Sequence, residues 1–150
     1  MTTVTESGPA SPAGMSTRTK ARKRALDVLY EADLRAEDPL VVLRRRVEWA
    51  EPPVREYTVT LVEGYQQHAE EIDHLIATYA QGWSLSRMPA VDRNIARVAI
   101  FELAHRADID DAVAISEAVE LATALSTDES PKFVNGLLGS IAEALRGDPH

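Results

Sequence analysis

The chain has 150 residues, 45% of them hydrophobic, no cysteine and a formal net charge of −8. That length buries one continuous core and is short for two ordinary domains; the lack of cysteine excludes disulfide scaffolds, thiolate metal sites and a cysteine nucleophile. No apolar run approaches the roughly 18 residues a membrane helix needs, and residues 1–14 lack a signal-peptide core, so a cytoplasmic protein with no membrane partner is expected.

Residues 1–17 are rich in Ser, Thr, Pro, Gly and Ala and offer almost nothing to bury, which predicts a disordered leader ahead of a folded body over 18–150. A first helix is predicted over 19–35 from the spacing of Leu26, Leu29, Tyr30 and Asp33, with Leu34 alongside. Pro39 can open a second helix carrying Leu40, Leu43 and Val47, which Pro52-Pro53 must end, because proline lacks the amide donor and clashes with the preceding turn. Over 54–80, Tyr57, Leu61, Val62 and Tyr65, then Ile72, Leu75, Ile76 and Tyr79, keep a helical period that either Gly64 or the Gln66-Gln67-His68 group divides in two.

Residues 82–89 read as a connector in which Trp83, Leu85 and Met88 are available to cover a core edge. Over 90–106, apolar residues spread around most of the helix, the pattern of a central element contacted on several sides. Asp110 or Asp111 is the expected N-cap of the next helix, with Ile115, Ala118, Val119, Ala122 and Leu125 inward. Ser130 is the expected cap of the last, with Pro131 at its first position and Val134, Leu137, Leu138, Ile141 and Leu145 as one stripe. The Asn135-Gly136 pair is a hairpin signal elsewhere, but the apolar period runs through it undisturbed. The fold expected is all-α, a single-domain bundle of about seven helices.

Charge is segregated along this chain. Residues 1–24 hold Arg18, Lys20, Arg22, Lys23 and Arg24 against the single acid Glu6, a local +4 that leaves −12 for the remainder. A basic segment on an acidic body is a cue for nucleic acid, and the acidic body suits a basic protein partner. Cations in a helix's first turn oppose its dipole, and a phosphate would relieve them while accepting from the free amides there. Five such cations meeting single-stranded RNA would give a salt slope of about −3.5; the competing reading is a solvated, solubilising tail.

Other chemistry is weaker. His68, Glu70, Glu71, Asp73 and His74 have metal-ligand side chains, but helical spacing scatters them and no His pair stands at i, i+4, so neither metal nor cofactor is expected. No nucleophile triad or phosphate loop stands out, and Gly136 and Gly139 are read as permitting close helix packing. Arg93 and Arg97 are expected to pair with Asp92 or Glu102 on the same helix. Phe133 beside Lys132 is either core or a platform for an unpaired base.

Three segments together resemble the bacterial NusB family of transcription antitermination factors: ARKRALDVLYEADLR at 21–35, PAVDRNIARVAIFEL at 89–103 and STDESPKFVNGLLG at 126–139. The AISEAVELA stretch at 114–122 and the KFVNG core at 132–136 stand in the family's order, and the likeness covers about 18–145. The resemblance implies a seven-helix fold that binds the boxA RNA element of ribosomal RNA leaders together with NusE, a small-subunit ribosomal protein, in the antitermination complex with RNA polymerase. It implies RNA contacts at Arg18 and Arg22, with Lys20, Lys23 and Arg24 adding charge, at Phe133 beside Lys132, and at the loop acid Glu129. It implies NusE contact at Asp92, for which Asp92→Lys is expected to lose the partner and keep the fold, and a role for Arg97. An exposed apolar face suits either a homodimer or NusE. Alternatives are a helical domain related to RNA cytosine methyltransferases, against which the short tail after Leu145 is set, and a helical adaptor without RNA.

Overall fold

A computed structural model describes residues 16–49 and 53–147. Among them are seven α-helices and no strand: α1 (Thr17–Arg35), α2 (Pro39–Trp49), α3 (Glu56–Gln67), α4 (Ala69–Tyr79), α5 (Ala90–His105), α6 (Asp111–Leu125) and α7 (Ser130–Arg146), with a 3-10 turn at Leu85–Arg87. The all-α expectation is met. Of the expected leader, residues 1–15 lie outside the described residues, but Ser16 is the N-cap of α1 and Thr17 its first residue. The Ser16 hydroxyl caps that helix, accepting from the Thr19 amide at 3.0 Å.

The remaining boundaries follow local chemistry. α1 stops at Ala36, held left-handed at φ 54°, with the Glu37 amide closing back onto the Ala32 carbonyl at 2.9 Å. The Asp38 carboxylate accepts from the Leu40 amide at 2.8 Å, so α2 opens on Pro39 with its free donors answered. The long periodic segment divides at His68, not Gly64. Gly64 instead lies against Phe101: a Cβ there would stand 2.3 Å from the ring.

α5 is the central element. Ten of its sixteen residues are buried, and it meets α1, α3, α4, α6 and α7. α1 runs antiparallel to it, since Arg22 pairs with Glu102 at one end and Asp33 with Arg93 at the other. α7 runs parallel to it, with Ser130 bonded to Asp92 and Arg146 to the Leu103 carbonyl.

Several expected burials are corrected. Leu34 is 63% exposed and Val47 51%, each on the outer side of a helix with no further layer over it. On α6 the buried ridge is Ala114, Ala118 and Ala122; Ile115 and Val119 only flank the core, and Leu125 is exposed. Small side chains face the core there because α6 packs against both α5 and α7. Asp110 takes the N-cap position of α6 without a side-chain capping bond, and Glu129, not Ser130, precedes α7. Gly136 and Gly139 face open space and pack against nothing that a Cβ would meet.

Candidate nucleic-acid interface

The basic run lies on the first two turns of α1, and its members have different surroundings. Arg18 is 43% exposed; its guanidinium carbon stands 4.3 Å over the Tyr57 ring, and it pairs with Asp108 at 3.5 Å. Lys20 points to solvent. Lys23 is tied to Asp27 one turn on, at 3.0 Å, and both side chains are more than a third exposed. Arg24 is half-buried.

Arg22 is inside the protein at 4% exposure. Its Nε donates to both Glu102 oxygens, at 3.1 and 2.9 Å, and its Nη1 lies 3.3 Å from Glu117. Helical periodicity explains the divergence: Arg22 shares the inward face with Ala25, Leu26 and Leu29, while Lys20 lies on the outward face. Arg22, expected at the RNA, is engaged instead in a buried ion pair that locks α1 to α5 and α6.

Tyr57 and Arg106 complete this region, although the sequence marks Tyr57 only as part of an apolar helical stripe and gives no signal at Arg106. The Tyr57 ring carries Arg18, Arg106 and Arg22 over it, at 4.3, 5.2 and 5.9 Å. Its hydroxyl donates to Glu102. Burial, with the Glu102 hydrogen bond and charge added, pushes that phenol well above its ordinary range, so it stays a donor. Arg106 donates from Nε and Nη2 to the two Asp108 oxygens at 3.0 Å each. That hydrogen bond foremost holds Asp108 down at about 2. Arg18 and Arg106 thus share one exposed carboxylate, and solvent screening leaves such exposed pairs weak. A phosphate can replace Asp108 there at little cost.

A second region lies at the other end of α5. A hollow of about 820 Å³ opens between the end of α4, the connector, and the start of α7; Trp83, Glu129, Lys132 and Phe133 are among its walls. The Trp83 and Phe133 rings meet at a centroid distance of 6.2 Å and an angle of 55°. Trp83 is 45% exposed, more than a residue covering a core edge would be, and Phe133 is half-buried against the core. Lys132 and Glu129 are exposed. Here an aromatic pair, a cation and an acceptor converge, the components of stacking and edge recognition of an unpaired base.

Asp92, at the floor of this hollow, is 3% exposed. It accepts from the Ser126 hydroxyl at 2.6 Å and the Ser130 hydroxyl at 2.8 Å, fixing the loop that carries Glu129. It is not a free surface acid. A lysine at this position would be buried beside two hydroxyls, so the expectation that Asp92→Lys keeps the fold is withdrawn.

Arg97 is also committed inside. Its Nε and Nη2 donate to Asp73 at 2.9 and 3.0 Å, its Nη1 reaches Asp33 at 3.3 Å, and its side chain is 12% exposed. Arg93 and Asn94 bind the same Asp33 carboxylate, at 2.8 and 3.0 Å. The arginines of α5 pair across to α1 and α4, not along their own helix to Asp92 or Glu102.

The two regions are separated along α5 by the ten residue steps from Asp92 to Glu102, about 15 Å of helix rise. They do not merge into one pocket. A ligand touching both is an extended strand, not a small molecule.

A sequence model of the NusB family matches residues 19–143. The chain is 61% identical over 132 residues to the transcription antitermination protein NusB of Salinispora arenicola, covering 86% of this chain and 97% of that one. It is 56% identical to the NusB of Nocardioides sp. over 85% of this chain and 94% of the relative. Among solved structures, T. maritima NusB superposes with a TM-score of 0.78 at 34% identity, over 85% of this chain and 92% of that chain. Antitermination factors NusB and NusE in complex with double-stranded RNA give 0.74 at 32% identity, over 85% and 96%. Family match, identity along nearly the whole length of these relatives and a shared helical architecture converge: this chain belongs to the NusB family.

Proposed function

We propose that this protein is a non-catalytic transcription antitermination factor that binds the boxA RNA of ribosomal RNA leaders jointly with NusE, in the cytoplasm, as part of an antitermination complex with RNA polymerase. The observation that carries this reading is the whole-fold likeness to NusB structures, one of them a NusB and NusE complex with RNA. The geometry supports it with two open recognition elements on one helical frame. Arg18, Lys20 and Arg24, joined by Arg106, supply phosphate contacts at the start of α1. Lys132, Phe133, Trp83 and Glu129 supply stacking and edge contacts at the start of α7. Lys23 joins the first group when a phosphate displaces Asp27. Arg22 and Arg97 act as positioning residues, and Asp92 bears on NusE through the loop it holds. The relatives that carry the antitermination name match over as much as 97% of their own length, which favours this reading over the methyltransferase-related one.

A fluorescence titration with boxA and scrambled RNA, each with and without NusE, tests it. Tighter binding of boxA, tightened further by NusE, is expected. Arg18→Ala with Lys20→Ala is expected to weaken binding and make the log-log salt slope shallower by about 1.4, at roughly 0.7 per lost phosphate contact. Equal affinity for the two RNAs under every condition rules the proposal out.

A further inference from the structure

His68, Glu71 and His105 come together although no sequence spacing links them as a set. His68 stands at the break between α3 and α4, Glu71 lies one turn later in α4, and His105 is the last residue of α5. The Nε2 of His105 is 3.0 Å from Glu71 Oε1, and the Nδ1 of His68 is 3.7 Å from the same oxygen. One ligand atom from each residue lies within 4.8 Å of the other two. The two imidazoles stack at a centroid distance of 3.7 Å.

We propose that these three side chains form a binding site for a divalent transition metal of the zinc class, with His68, Glu71 and His105 as protein ligands. Two imidazoles and a carboxylate are a donor set that zinc accepts, and ligands at about 2.0 to 2.1 Å in a tetrahedron stand about 3.3 Å apart. The two nitrogen-to-carboxylate spacings, 3.0 and 3.7 Å, bracket that value. The rings must splay from their stacked arrangement, which the broad second torsion of histidine allows. Phe101 braces the pair from beneath, its ring 6.4 Å from His68 and 5.9 Å from His105. Its own position is set by the notch at Gly64.

Electrostatics favour a cation here. His105 closes α5 at the negative end of its dipole, whereas His68 both follows the last turn of α3 and precedes the first turn of α4, so the two dipoles there offset and the carboxylates supply the attraction. Glu70 adjoins Glu71 in the first turn of α4. His68 and Glu71 are exposed enough to be reached from solvent, as is His105, so the site has an entry path and room for water or a partner's side chain as a fourth ligand. The metal would clamp the α3–α4 junction to the end of α5, remote from Phe133 and the hollow at the α5 start.

The test uses the full chain without a histidine tag, stripped by chelator. It is titrated with zinc chloride by calorimetry and with cobalt(II) by visible absorption. One ion per chain, a tetrahedral cobalt spectrum and a rise in melting temperature with zinc are expected. His105→Ala and His68→Ala should each weaken the metal at least about tenfold, the scale on which even an outer-shell partner matters. Circular dichroism and boxA binding measured without metal should stay as in the parent, which separates failure of this site from failure of the RNA proposal. No saturable binding by the parent, or undiminished binding by the His68→Ala/His105→Ala double variant, overturns the assignment.

Discussion

Arg22 and Arg18 are one turn apart in the same basic run, and burial gives them opposite duties. Arg22, at 4% exposure, neutralises Glu102, which is 1% exposed and also accepts from Tyr57. Removing one member of a buried pair strands the other's charge, while removing both in favour of apolar groups is often neutral. Arg22→Ala is therefore expected to destabilise the protein by about 3–5 kcal/mol in urea denaturation, and Arg22→Met with Glu102→Leu to recover most of that loss. The recovered double variant should bind boxA RNA nearly as well as the parent, whereas Arg18→Ala should bind more weakly with stability changed by under about 1 kcal/mol. A double variant that is stable yet has lost RNA would return Arg22 to the RNA surface. The alternation of basic residues with alanine around the helix hinted at this division, since Arg22 falls on the same face as Leu26 and Leu29. Nothing local could name its partner, which is 80 residues away.

Of three helical glycines, one lies at a close helix approach and two face open space. Gly64 lets α3 approach α5 so closely that the Phe101 ring occupies the space of the missing Cβ. Gly136 and Gly139 on α7 meet nothing at that distance. Gly64→Ala gains up to about 1 kcal/mol of helix propensity but overpacks the core by about 1–3 kcal/mol, so a net loss is expected. Gly136→Ala and Gly139→Ala keep the gain alone. At roughly 2–4 °C per kcal/mol for a chain this long, thermal melting should move down for the first and up for the other two. A higher melting temperature for Gly64→Ala would show that Phe101 yields freely. The sequence suggests a helix break at Gly64 and close packing at Gly136 and Gly139, the reverse of what the structure shows, because a helical position does not state how near the neighbouring helix comes.

Across the whole molecule, two polar networks, one buried and one partly buried, tie α1 to the central helix. One is Arg22, Glu102, Glu117 and Tyr57; the other joins Asp33 to Arg93, Asn94 and Arg97, and through Arg97 to Asp73 and Tyr65. Burial is the largest single influence on the Asp33 carboxyl and pushes it up, but the Asn94 and Arg93 hydrogen bonds and the charges of Arg97 and Arg93 together hold it below its ordinary 3.8. A depressed folded value contributes stability that is fully present above the unfolded value and is lost as pH falls through the folded one. Acid should therefore erode this contribution below pH 3.8. In acid titrations of unfolding free energy, the gap between the parent and Asp33→Asn should narrow below that pH; a gap constant down to full unfolding would remove Asp33 from the acid transition.

The sequence by itself determined the all-helical class, the seven helices to within a few residues, and the segregation of positive charge into α1, because period, caps and prolines act within a few residues of one another. It also carried the family resemblance. Tertiary structure decided that Arg22, Asp92 and Arg97 are internal while Lys20 is exposed, and that Trp83 faces Phe133. It also brought His68, Glu71 and His105 to one place. The bonds that fix Arg97, Asp92, His105 and Arg22 span 24, 34, 34 and 80 residues of chain, and helical periodicity states which face a residue occupies without stating what packs against that face.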